Sequence, residues 1–212
     1  MCHLWRRWPG RRQATNLALL LNPESRSVFT ELMTPRIIDA LLSPEALKGI
    51  LEAVRSESFP WERSEILRGH FPGLDPEDNL QFVHGFYAWR NRSLYRSPFL
   101  PVIAPVLNWF GPMRLIKAKL NRTPGRSRHL EYGLHVDTRH RNALTAIYYL
   151  NDNNGYTLFE DGARIASVAN RLVIFNANLR HTGASCTDSS ARLVLNLNLI
   201  PDANPVHEDQ RR

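Results

Sequence analysis

Two histidines, one aspartate and one arginine are the residues of this chain whose types and spacing can do chemistry. His135-Val136-Asp137 sets an imidazole and a carboxylate two residues apart. In an extended segment residues i and i+2 point to the same side, so both groups can converge on one ion. Alone, the triplet reads more readily as a polar strand end. His181 follows 44 residues beyond Asp137, after the apolar run Leu172–Phe175, a separation over which a rolled sheet can wrap back. Two histidines and a carboxylate leave three coordination positions open, as expected of non-haem Fe(II) oxygenases; catalytic zinc accepts the same ligands. Eleven residues past His181 stands Arg192, whose guanidinium can grip a carboxylate bidentately and stays charged. By itself such an arginine is an ordinary rim residue. Beside a metal triad it reads as the anchor of a dicarboxylate co-substrate.

These groups need strands to carry them. From Arg192 to Ile200 the alternation is strict: Leu193, Leu195, Leu197 and Leu199 on one face, Arg192, Val194, Asn196 and Asn198 on the other. The leucine face predicts a core. The second face predicts a cavity wall, with Asn196 and Asn198 shaping an inner pocket. Leu115–Leu120, His135–Asp137, Leu144–Asn151, Tyr156–Phe159 and Arg171–Phe175 are further short strand candidates, separated by turn material such as Asn151-Asp152-Asn153-Asn154-Gly155. Short strands at this spacing indicate an all-β sandwich or barrel.

Before Pro112 the pattern differs. Pro35–Leu42 reads as a short strand or extended entry. Ser43-Pro44-Glu45 is a helix start, with Ser as N-cap and Pro in the first turn, and Leu47, Ile50, Leu51 and Val54 fall at helical spacing. Residues 56–79 read mostly as loop. A proline-broken helix is expected within Leu94–Trp109, stopped by Gly111-Pro112. The expected organisation is a poorly ordered basic extension over 1–34, one domain over 35–204 and a polar tail over 205–212. Within the domain, a helical support spans 35–112 and a β core 113–200.

At 212 residues the chain is long enough for one sizeable core, and 43% hydrophobic residues match a globular protein. No run approaches the roughly 18 apolar residues of a membrane helix. The net charge is +7 and the pI near 9.9, yet the first 36 residues hold six Arg against two Glu, so charge alone does not predict nucleic-acid binding. With only Cys2 and Cys186 there is no disulfide framework, and a reducing cytoplasm is the default location.

His135-x-Asp137, His181 and Arg192, in this order and spacing, resemble the 2-oxoglutarate/Fe(II)-dependent dioxygenases, particularly the prolyl-4-hydroxylase-like branch. The likeness covers roughly residues 114–200. It implies a double-stranded β-helix (jelly-roll), Fe(II) held by His135, Asp137 and His181, and 2-oxoglutarate and O2 consumed as a C–H bond is hydroxylated and succinate and CO2 are released. Ascorbate is then a candidate reductant. Thr145-Ala146-Ile147-Tyr148-Tyr149-Leu150-Asn151 looks like the strand that follows the metal triplet in that branch, which would put Tyr149 on the co-substrate carboxylate beside Arg192. Gly155-Tyr156-Thr157-Leu158 resembles the family's Gly-Gly-x-Leu segment and implies Leu158 against the co-substrate, with Tyr156 departing from the second glycine. Asn121 sits where the family often places a polar contact, and Tyr132 is expected in the substrate pocket. Arg126 and Arg139 flank the triplet and suggest an anionic substrate, a peptide or small molecule. Nucleic-acid demethylases resemble one another in a second arginine six residues beyond the first; Asn198 stands there instead, so nucleic acid is not the expected substrate. A non-catalytic metal-binding jelly-roll is the competing class.

Overall fold

The computed structural model of the protein describes residues 34–67, 74–90, 93–140 and 142–201. The basic extension (Thr34 apart), Cys2, Arg141 and the polar tail lie outside them. The described chain runs through β1 (Arg36–Ile38), α1 (Pro44–Arg55), β2 (Glu62–Glu65), β3 (Leu80–Arg90) and β4 (Ser93–Arg96). A short 3-10 turn (Leu100–Ile103) and α2 (Ala104–Trp109) follow, then β5 (Met113–Pro124), β6 (Leu144–Tyr149), β7 (Tyr156–Phe159) and β8 (Arg164–Ala166). The last strands are β9 (Arg171–Asn176), β10 (His181–Gly183) and β11 (Ala191–Pro201). Among the described residues no helix is long and apolar enough to cross a membrane.

An eight-stranded sheet runs β1-β9-β6-β11-β5-β3-β2, with β4 paired to β3, and a three-stranded sheet runs β10-β7-β8. Every pairing is antiparallel. Two opposed sheets linked in this way form the expected jelly-roll.

Period-two alternation decides what each face does. On β11 the leucines Leu193, Leu195, Leu197 and Leu199 join Leu144, Ala146 and Tyr148 of β6 and Leu172 and Ile174 of β9 in one core. That core packs against Ile50 and Val54 of α1 and Val106 of α2. On the opposite face Ile147, Tyr149, Val173, Phe175 and Val194 meet Phe159 and Ile165 in a second core between the sheets. With an apolar layer on each side, every residue of β6 is buried. Helix α1 starts as its residues dictate: Ser43 Oγ accepts from the Ala46 N–H (3.2 Å) and Pro44 occupies the first turn.

The region before Pro112 is not chiefly a helical support. Residues 56–79, read as loop, contain β2, and the 11-residue β3, which pairs with β5, lies where no element was expected. Two features hide β3. Its buried positions include Gln81 and His84, polar residues that break the apolar pattern; His84 lies 3.0 Å from both the Pro60 carbonyl and Ser97 Oγ. A bulge between Gly85 and Tyr87 then shifts the register, so the alternation changes phase mid-strand. The Leu94–Trp109 segment likewise divides into the end of β4, the 3-10 turn and the six-residue α2.

Candidate active site

His135 and Asp137 lie in no strand; a single isolated bridge holds His135 opposite His181. Two backbone hydrogen bonds make that bridge, His135 N to His181 O (2.9 Å) and His181 N to His135 O (3.0 Å). Residues facing one another in an antiparallel pair share a side of the sheet, and the two rings lie 4.9 Å apart. Asp137 closes the triangle, with Oδ1 3.9 Å from His135 Nε2 and Oδ2 3.5 Å from His181 Nε2. One ligand atom from each of the three residues lies within 4.8 Å of the others.

The surroundings prepare these donors. His181 Nδ1 sits 3.0 Å from the Leu179 carbonyl and His135 Nδ1 3.3 Å from that of Gly133. A carbonyl only accepts, so each Nδ1 carries the proton and each Nε2 lone pair faces Asp137. Burial pushes the His181 pKa down and keeps the ring neutral. Burial opposes ionisation of Asp137, but its electrostatic interactions with His181, Lys117 and His135 and the Thr145 hydroxyl outweigh it and hold the carboxyl below its usual range. Thr145 Oγ1 donates to Asp137 Oδ2 (3.0 Å), Asn196 Nδ2 lies 3.3 Å from the same oxygen, and Asn198 Nδ2 donates to Thr145 Oγ1 (3.0 Å). The donor set, two imidazoles and an ionised carboxylate lining an open cavity, fits a ferrous ion.

The triad lines a cavity of about 780 Å3 between the sheets, and Arg192 lines it too. Only 7% of Arg192 is exposed. Its Nε donates to Ser167 Oγ (2.8 Å) and its Nη2 to Thr157 Oγ1 (3.2 Å), and its guanidinium lies 5.4 Å from the centre of the Tyr149 ring. Among the described residues it forms no ion pair. Two glycines make its room: a Cβ at Gly155 would stand 2.8 Å from Arg192 Cδ, and one at Gly183 3.1 Å from its Nη1.

The other expected site residues divide. Asn121, Tyr132 and Asn196 line the cavity. Asn121 Oδ1 and Asn196 Oδ1 are buried without a hydrogen-bond partner among the described residues, and the Tyr132 hydroxyl donates to the Asp78 carbonyl (3.1 Å). Tyr149 is fully buried beneath the wall, its hydroxyl 2.7 Å from Thr157 Oγ1. Asn198 is not on the wall; it backs Thr145. Leu158 is also off the wall, because alternation in β7 turns Thr157 and Phe159 inward and Tyr156 and Leu158 outward. Tyr156, in place of a glycine, therefore leaves the cavity clear: its hydroxyl donates to Glu131 Oε1 (2.6 Å) and Arg164 lies over its ring. Arg126 does not line the cavity but bonds the carbonyls of Glu77 and Leu80, and Arg139 is exposed outside it. The residues missed are Thr157, Ser167, Lys117 and Lys119. The two lysines follow from alternation about the buried Ala118 and Leu120 of β5.

No protein-family model matches the chain, and no curated protein matches it. Solved structures do. The chain is similar to a prolyl hydroxylase from Trichoplax adhaerens, solved in complex with a hypoxia inducible factor peptide (16% identity, 81% of this chain and 86% of that one, TM-score 0.54). It is similar to a 2OG-Fe(II) oxygenase family oxidoreductase from Burkholderia pseudomallei (13% identity, 82% and 88%, TM-score 0.58). It is also similar to SnoK, a non-heme alpha ketoglutarate dependent carbocyclase from nogalamycin biosynthesis (17% identity, 91% and 87%, TM-score 0.59). With this likeness, and with a His-Asp-His triad facing the space between its two sheets, the chain has the double-stranded β-helix fold of the 2-oxoglutarate- and Fe(II)-dependent oxygenases.

Proposed function

We propose that the protein is an Fe(II)- and 2-oxoglutarate-dependent dioxygenase that hydroxylates a C–H bond of a peptide side chain or small molecule, releasing succinate and CO2. One observation carries this reading: a buried guanidinium without a carboxylate partner among the described residues opens onto the same cavity as the triad. A charge buried against two neutral hydroxyls is costly unless an anion completes its shell. A keto diacid suits the two ends of such a cavity, one carboxylate on Arg192 and the keto-acid end toward the triad.

His135, Asp137 and His181 would hold the iron, which when bound supplies the activation of O2 and the oxidation of the substrate. The protein's own task is placement. Thr145 and Asn196 fix the Asp137 carboxylate, and the Leu179 and Gly133 carbonyls fix the imidazole tautomers. Arg192 orients the co-substrate, steadied by Thr157, Ser167 and the Tyr149 ring, and Asn121 adds a polar contact from β5. Ile147 and Val194 supply apolar wall backed by the second core.

The test is turnover. Purified protein given Fe(II), 2-oxoglutarate and ascorbate should release succinate slowly without added substrate, and His135→Ala should abolish it. Absence of succinate from the folded wild-type protein, or equal release by His135→Ala, overturns the reading.

A further inference from the structure

The helix-side face of the large sheet carries a second cavity, of about 400 Å3, that shares no lining residue with the first. Alternation along the strands sets the two back to back. Asn121 and Thr123 of β5 and Arg192 and Val194 of β11 line the first cavity; Arg122 and Leu193, paired with each other across the same two strands, line the second. Its floor is apolar: Val54, Phe59 and Leu193 are buried there. Trp61 stands beside them, its Nε1 donating to the Val54 carbonyl (3.1 Å) and its ring 5.0 Å from that of Phe59.

The rim is charged in both signs. Arg55 lies in the last turn of α1, Glu57 follows two residues later, and Arg122 comes from β5; all three line the cavity and are exposed. Among the described residues none of them forms an ion pair, so both signs stand at one rim without neutralising each other. The Arg122 guanidinium lies 5.4 Å from the centre of the Phe82 ring. The carbonyl end of α1, beside Glu57, adds partial negative charge. Asn151 is engaged, with the Ala191 carbonyl and the Leu193 N–H (both 2.9 Å), and Ser189 Oγ donates to the same carbonyl (3.3 Å). An apolar floor under separate cationic and anionic rim groups suits a small molecule that carries both charges at one end and an apolar body at the other.

We propose that this cavity binds an apolar α-amino acid as its zwitterion, the carboxylate on Arg55 and Arg122, the ammonium on Glu57 and the side chain on the Phe59–Trp61 floor. The site goes beyond the dioxygenase reading and does not depend on it.

The full chain is titrated by calorimetry with L-phenylalanine, with 3-phenylpropionate, which lacks the ammonium, and with phenethylamine, which lacks the carboxylate. The wild type should bind phenylalanine about fivefold more tightly than either, the roughly 1 kcal/mol of one exposed charge pair. In Glu57→Gln phenylalanine and 3-phenylpropionate should bind alike; in Arg55→Gln/Arg122→Gln phenylalanine and phenethylamine should. Arg192→Met, which alters only the other cavity, should bind phenylalanine as the wild type does. Circular dichroism checks that each variant is folded. No binding of phenylalanine by the wild type, a preference under twofold, a preference that survives in the rim variants, or binding lost in Arg192→Met overturns the proposal. Succinate release, present or absent, bears on the dioxygenase alone.

Discussion

Replacing Arg192 by methionine separates binding from folding, because the two respond by very different amounts. Methionine keeps much of the length of arginine and removes its charge. On the folding side, the variant loses two neutral-acceptor hydrogen bonds, to Ser167 and Thr157, each about 0.5–1.5 kcal/mol net. Against that it removes a buried cation that forms no ion pair among the described residues, a change that is often neutral or stabilising. Thr157 keeps the Tyr149 hydroxyl as a partner (2.7 Å). The net change in stability should stay within about 2 kcal/mol.

Binding should suffer far more. A guanidinium gripping a carboxylate makes two charge-assisted hydrogen bonds of about 1.5–3 kcal/mol each, so their loss weakens 2-oxoglutarate binding by roughly 10²–10⁴-fold. Arg192→Lys should fall between, at roughly 10–100-fold, since an ammonium is a point charge that cannot span Ser167, Thr157 and a carboxylate together. The assay is anaerobic titration of the Fe(II) protein with 2-oxoglutarate, followed by the iron charge-transfer band, beside urea denaturation of each variant. If Arg192→Met binds 2-oxoglutarate within threefold of the wild type, or loses more than about 3 kcal/mol of stability, the guanidinium is a structural element and the reasoning fails.

Two other perturbations address the metal side and the periphery. Thr145→Val keeps the shape but removes the hydroxyl that orients Asp137 and accepts from Asn198; metal affinity, measured by competition with a chromophoric chelator, should fall about 10–100-fold, and an unchanged affinity would deny Thr145 that role. Arg171 grips Asp39 through Nε (2.6 Å) and Nη2 (3.0 Å), and this hydrogen bonding holds the Asp39 carboxyl below its usual pKa. The folded state thus binds that proton less tightly than the unfolded one. Its stabilisation is complete above about pH 4 and is lost as pH falls through the lowered folded pKa. With Asp39 largely exposed the amount is under ~1 kcal/mol: the difference in urea midpoint between wild type and Asp39→Asn should be smaller at pH 3 than at pH 6, and a difference that does not shrink contradicts the pairing.

How far the site could be read from residues alone depended on whether each residue had a phase. On β11 four alternating leucines name the buried face, so Arg192 and Asn196 fall on the other without ambiguity. The same rule applied to β5, where Ala118 and Leu120 are buried, turns Lys117, Lys119, Asn121 and Thr123 toward the cavity; these lysines were as legible as Arg192. Arg126 and Arg139 sit in irregular chain, where no period says which way a side chain points. Strand β7 has four residues and an inverted pattern, a threonine inward and a tyrosine and leucine outward, so a reading by hydrophobicity selects Leu158 over Thr157. In a strand, a one-residue error of phase moves every side chain to the other face. Asn198 shows the remaining limit. Its face follows from the alternation, but whether a residue on that face meets the cavity or a neighbouring hydroxyl is set by the strand paired beside it, here Thr145 of β6. The chemistry of the centre was therefore visible wherever one strand's own period sufficed, and hidden wherever a second strand decided what the side chain would touch.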